Sequence, residues 1–157
     1  MVIVGEKKTL FRAYKQGDYN EIVPLIMELY AKDGGTTVSD MTIEKINHTI
    51  ENLTKRKHLG KIFIFEIQNA VVGYAIITSF WSNEFGGRSM IIDELLVKAA
   101  HRNKGISTEF FNFLFKKKFY NEVVYMLEVG YSNTNAAAFY KRLGFSDFKT
   151  KMQFRLA

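Results

Sequence analysis

Apolar residues recur along this chain at two spacings, and the switch between them marks out its elements. Ile22, Leu25, Ile26 and Leu29 repeat at helical spacing within residues 20–35, so a helix is expected there. Pro24, the one proline, fits the first turn of a helix starting near Asn20, and Gly34-Gly35 stops it. Ile43, Ile46, Ile50 and Leu53 repeat the pattern over residues 39–58, with Ser39 or Asp40 as the cap. Shorter apolar runs predict strands at 8–18, 61–67, 71–81, 89–97, 122–129 and 147–157. Gln68-Asn69-Ala70 forms a tight turn between two of them, and residues 82–88 form the next hairpin loop. Within residues 101–118, Phe110, Phe111, Phe113, Leu114 and Phe115 are apolar nearly all round, which predicts a buried helix. Lys116 to Lys118 suit its negative C-terminal end. Residues 133–144 read as a short helix closed by Gly144.

The resulting order is β-α-α-β-β-β-α-β-α-β, with no linker, repeat or low-complexity tract. It predicts one mixed α/β domain over residues 1–157, built around a central sheet. The unit from Ile91 to Val129 should be a right-handed parallel crossover. A 47% hydrophobic content supplies an adequate core. No apolar run is long enough to span a membrane, and the apolar part of the N-terminus is too short for a signal peptide. The absence of Cys excludes disulfides, a thiolate zinc site and a Cys nucleophile. His48, His58 and His101 share no metal-ligand spacing, so no metal is expected. These features fit a cytoplasmic protein. The net charge of +6 favours an anionic partner.

Three stretches could carry chemistry. Arg102-Asn103-Lys104-Gly105-Ile106-Ser107 joins a strand to a helix start, where free N–H groups, a glycine and two cations could take a diphosphate. Alone, the stretch also reads as a solvated turn. Asn133, Ala136 and Tyr140 share one helix face, with room over the alanine, an amide and a phenol. Alone, Tyr140 reads as packing on the sheet. Asp93-Glu94 interrupts an apolar strand, so the two carboxylates point to opposite faces. At least one should be partly buried, and burial raises a carboxylate pKa towards that of a useful base. A salt-bridged structural acid is the alternative.

Together, and in this order, the three stretches resemble the GNAT superfamily of acetyl-CoA-dependent N-acetyltransferases. The family's Gln/Arg-x-x-Gly-x-Gly/Ala signature appears as Arg102-x-x-Gly105-x-Ser107. Its Asn-x-x-Ala-x-x-x-Tyr-x-x-x-Gly-Phe pattern is filled by Asn133, Ala136, Tyr140, Gly144 and Phe145. Ser107 departs from the signature but is small. The resemblance implies an N-acetyltransferase that moves the acetyl group of acetyl-CoA to a primary amine. It implies that the backbone of Leu95, Leu96 and Val97 pairs with the pantetheine arm. Asn103, Lys104, Gly105, Ile106 and Ser107, with Arg102, would take the diphosphate. Asn133 and Ala136 would line the coenzyme, and Tyr140 would protonate the departing thiolate. Glu94 or Asp93, directly or through water, would be the base, and a backbone N–H of 95–97 would hold the oxyanion.

The acceptor side is expected around Tyr30, Trp81, Glu84, Asp93 and Glu94. Aromatic faces and acids there favour a small cationic amine or polyamine. A coenzyme-binding domain without activity is the rival reading. A nucleic-acid partner is not expected, because the aromatics sit in core-type segments and the basic residues are dispersed apart from Lys55 to Lys57 and Lys116 to Lys118. Members of the family often dimerise, so a homodimer is compatible with the resemblance.

Overall fold

The computed structural model describes residues 8–32 and 41–149. Strand β1 (Leu10–Ala13) leads through a 3-10 turn at Gln16–Asp18 into helix α1 (Tyr19–Lys32). Helix α2 (Ile43–Lys55) follows, then strands β2 (Gly60–Ile67), β3 (Ala70–Ser82) and β4 (Gly87–Val97). A 3-10 turn at Ala99–His101 precedes α3 (Ile106–Lys117), β5 (Val124–Leu127) and α4 (Thr134–Arg142). The sheet runs β1-β2-β3-β4-β5. Its first three pairings are antiparallel and β4 pairs with β5 in parallel, joined through α3 as expected.

Each face of the sheet carries its own apolar cluster. On one, α1 and α2 set Ile22, Ile26, Ile46 and Ile50 against Ile62, Ile64, Tyr74, Ile76 and Leu96. On the other, α3 sets Ile106, Phe110, Phe111 and Leu114 against Phe63, Phe65, Ile77, Met90 and Ile92. Phe110 is fully buried, and its ring lies 4.6 Å from that of Phe65 and 5.3 Å from that of Phe11. Burial of such a ring contributes on the order of 2–3 kcal/mol from area alone.

Several expectations need correction. Helix α1 begins at Tyr19, one residue before the expected start, and Pro24 is its sixth residue, in the second turn and not the first. The cap of α2 is Thr42, whose side chain accepts the Lys45 N–H. Ser39, Asp40 and the Gly34-Gly35 stop lie outside the described residues. Helix α3 is not buried all round: Thr108, Glu109 and Asn112 face solvent while Phe113 and Phe115 are half-buried flanks. Phe113 packs on Phe11 and Phe63, and Phe115 on Tyr125 and Phe145. Of the final strand expected at 147–157, residues 147–149 form no strand, and the rest lies outside the described residues. The turn at Gln68 and Asn69 is the expected one. Both residues have positive φ, 51° and 64°, which matches the right-handed twist of the flanking strands.

Candidate active site

The site begins with one extra residue in β4. Ile77 of β3 opposes Ile92, and the next residue, Ile76, opposes Glu94, so Asp93 is a β-bulge with no partner in the β3 ladder. Met90 and Ile92 belong to the α3 cluster, whereas Leu96 belongs to the α1/α2 cluster beside Glu94's partner Ile76. The bulge therefore turns Glu94 toward α1 and leaves Asp93 exposed. Glu94 is only 7% exposed. Tyr74 donates its hydroxyl to Oε2 at 2.8 Å, and Tyr30 donates to Oε1 at 2.8 Å. Burial pushes the Glu94 pKa up and the two phenols hold it down, while the nearby Asp93 charge pushes it up again; the net direction is upward. Burial, with the Glu94 charge beside it, pushes the Tyr74 phenol well above its ordinary range, so it remains a donor.

Beside this acid the sheet opens. The last β4–β5 pair is Ile92 with Leu127, yet β4 continues to Val97. Lys98 donates its N–H to Val72 O, and strand groups alternate sides. Leu96 thus turns its backbone polar groups to β3, and Leu95 and Val97 turn theirs to the open edge. The carbonyl of Val97 accepts Arg102 Nε at 2.8 Å. Of residues 95–97, Leu95 and Val97 are therefore the ones whose backbone groups an added strand could reach.

The chain then enters α3 through Asn103 and Gly105, at φ 59° and 79°. Gly105 is the cap of α3 and no side chain caps the helix. The first intrahelical bond runs from Glu109 N to Gly105 O, so the N–H groups of Ile106, Ser107 and Thr108 have no acceptor within the helix. A Cβ on Gly105 would meet nothing within 4 Å. The glycine is there for its left-handed backbone. The guanidinium of Arg102 also lies 3.5 Å from Glu28, and Lys104 donates to Ala100 O at 2.9 Å. Both cations brace the turn as well as charging it.

Tyr140 packs edge-on against Phe111, Phe139 and Phe145, on the α3 side with Leu95 and Leu127. Burial raises its pKa. Asn133 caps α4, its Oδ1 accepting Ala136 N–H at 3.1 Å. Ala136 is half-buried in the first turn of that helix. Trp81 and Glu84 are not brought to Glu94. Trp81 is 67% exposed opposite Arg88 at the far end of β3, and Glu84 in the hairpin loop is ion-paired with Lys149 at 2.7 Å. Five residues of strand separate Trp81 from Ile76, roughly 17 Å.

Residues 23–145 match the profile of the Acetyltransferase (GNAT) family. The chain belongs to the GNAT acetyltransferase family. No curated protein sequence matches it. Among solved structures, a protein from Clostridium difficile 630 described as a possible acetyltransferase superposes with a TM-score of 0.80 at 22% identity, covering 95% of this chain and 97% of that one. A ribosomal-protein-alanine N-acetyltransferase from Brucella melitensis biovar Abortus 2308 gives 0.74 at 16% identity, over 94% and 99%. Glucosamine-6-phosphate N-acetyltransferase from Arabidopsis thaliana gives 0.70 at 16%, over 96% and 99%. These likenesses show the GNAT fold.

GNAT proteins generally use acetyl-CoA, and two features of this chain fit it. The open edge at Leu95 and Val97 can pair with an extended amide-bearing arm, and the uncapped α3 N-terminus suits a diphosphate. The residue that sequence reasoning missed is Tyr74. Its signal was present: a phenol inside the apolar run Val71–Ile77 must find a hydrogen-bond partner.

Proposed function

We propose that this GNAT protein moves the acetyl group of acetyl-CoA directly onto a primary amine, with a small cationic amine or polyamine as acceptor. The observation that carries the reading is the buried Glu94 carboxylate, which lies just where β5 ceases to pair with β4.

In this reading the uncapped turns of α3 hold the diphosphate, and Leu95 and Val97 pair with the pantetheine arm. The acceptor enters from the α1 side beside Tyr30. Glu94 takes a proton from the ammonium, directly or through one water, and frees the nitrogen lone pair. The N–H of Leu95 or Val97 donates to the oxyanion as the new C–N bond forms. Tyr140 gives its proton to the sulfur as the C–S bond breaks. Once the C–N bond has formed the nitrogen gives up its second proton, which restores Tyr140 through solvent, and the proton held by Glu94 leaves to solvent. Asp93 and Glu94 together favour a cationic acceptor; Trp81 and Glu84 are too far along β3 to join them.

Calorimetric titration with acetyl-CoA, followed by thiol release over a panel of amines, tests this. Micromolar coenzyme affinity, about −8 kcal/mol, and turnover with small diamines are expected. Turnover confined to peptide amines would remove the polyamine assignment, and no coenzyme binding at millimolar ligand would remove the activity.

A further inference from the structure

Glu94 is gripped from two sides by unequal partners. Tyr74 is fully buried in β3, two residues from Glu94's opposite number Ile76. Its hydroxyl reaches Oε2 at 2.8 Å. Tyr30 is half-buried, near the end of α1, and its hydroxyl reaches Oε1 at 2.8 Å. The titratable groups facing the carboxylate among the described residues are these two phenols and Asp93 on β4 itself. No Lys, Arg or His among them neutralises the carboxylate. The anion's partners on this side are thus phenols, which donate without cancelling its charge.

We infer that Tyr74 and Tyr30 are positioning residues that hold Glu94 as an aimed carboxylate, Tyr74 being the fixed anchor and Tyr30 the exchangeable one, whose place on Oε1 the acceptor amine or its water takes. A cationic partner in place of the phenols would stabilise the anion more but would weaken it as a base and repel an ammonium. Two phenols avoid both effects. The asymmetry in burial sets which oxygen works: Oε2 stays occupied within the sheet, and Oε1 faces the side from which a ligand can come.

The inference rests on reading Glu94 as the base, so the test separates the two. In full-length protein carrying carboxyl-13C glutamate, NMR follows the Glu94 titration, assigned as the resonance missing from Glu94→Gln. The Glu94 midpoint should move up in Tyr74→Phe and in Tyr30→Phe, since each loses one donor to the anion. The acid limb of kcat/KM should move up with it. Tyr74→Phe should lower kcat, while Tyr30→Phe should act mainly on the amine KM. Affinity for acetyl-CoA should be unchanged in both. Each change removes one oxygen and no carbon; should Tyr74→Phe fail to fold, Tyr30→Phe carries the test. A midpoint unmoved in the folded variants overturns the clamp whatever the activity. A midpoint that moves while Glu94→Gln turns over at the wild-type rate upholds the grip on the carboxylate but removes Glu94 as the base.

Discussion

Ile92 and Glu94 stand two residues apart on β4 yet lie on opposite faces of the sheet, because Asp93 bulges between them. In a regular strand, residues two apart share a face. Without the bulge, Glu94 would project into the phenylalanine cluster around Phe110 and Phe111, where an unpaired carboxylate would cost several kcal/mol. With it, the acid reaches two hydroxyls on the α1 side. The same insertion fixes which of the two acids is buried.

That division of roles is testable by a pair of near-isosteric changes. Glu94→Gln should lower kcat/KM about 10²–10⁴-fold, while Asp93→Asn should keep most of it. Their pH profiles should differ in sign as well. With Glu94 as the proposed base, activity should need its ionised form and be lost as pH falls through its raised folded pKa. The Asp93 charge contributes to that rise, so Asp93→Asn should move the acid limb down. Initial rates across pH for the two variants check it, and equal losses in both would remove the distinction.

Tyr140 offers a contrast on the opposite face. Burial alone raises its pKa, so the phenol keeps its proton above the ordinary tyrosine value of about 10. An acid of this kind loses function only as pH rises through that raised value, so no alkaline fall from Tyr140 is expected below about pH 10. Tyr140→Phe should lower kcat about 10²-fold or more with acetyl-CoA affinity retained. Steady-state kinetics beside calorimetry separate the two effects. A matched loss of binding would make Tyr140 a wall of the coenzyme site instead.

The element order from the first strand to the last helix and the glycine turn into α3 were legible because each rests on local chemistry. Alternating apolar runs, Gly105 before a helix and the Gln68-Asn69 turn carry their own signals. The bulge at Asp93 was not legible, since an inserted residue is defined only by the strand opposite. The Glu94–Tyr74 contact was lost with it, as the partner lies in another strand. Trp81 and Glu84 lie where β3 ends and its hairpin begins, and the length of β3, which the sequence does not relate to the position of Glu94, separates them from that acid. The capping role of Asn133 follows from its place before a helix, where a short polar side chain meets the first free N–H groups.

The first strand is tied to the 3-10 turn before α1 and to β2 by a charge network whose acid, Asp18, is shifted in the direction opposite to Glu94. Arg12 donates to both oxygens of Asp18 at 2.8 Å and, through Nε, to Glu66 at 2.7 Å. The Arg12 hydrogen bond holds the Asp18 carboxyl below its usual range, against a smaller push upward from burial. A lowered carboxylate pKa stabilises the fold fully above the unfolded value of about 3.9, and this is lost as pH falls through the lower folded value. Asp18→Asn should therefore cost about 1–3 kcal/mol at neutral pH, with the difference from wild type closing in acid. Urea unfolding at neutral and acidic pH measures it; a gap that widens in acid would contradict the assignment.

Gly73 meets its limit at the same strand pair that carries the site. A Cβ there would lie 2.5 Å from Leu96 O, 2.9 Å from Phe65 Cδ2 and 3.2 Å from Val97 Cα. The first and last of these atoms are backbone, so no side-chain rotation relieves the overlap. Gly73→Ala must push β3 away from the end of β4, where Leu95 and Val97 present their open edge. Overpacking of this kind costs about 1–3 kcal/mol or more. The shift should also displace the proposed pantetheine contacts, so coenzyme affinity should fall more than stability does. Gly86→Ala, in the hairpin loop before β4, is the matched control, since its Cβ enters open space and its cost is left-handed strain of about 1–2 kcal/mol. Denaturant unfolding and acetyl-CoA calorimetry on both variants make the comparison. Wild-type affinity in a folded Gly73→Ala would mean that the open edge of β4 does not bind the coenzyme arm.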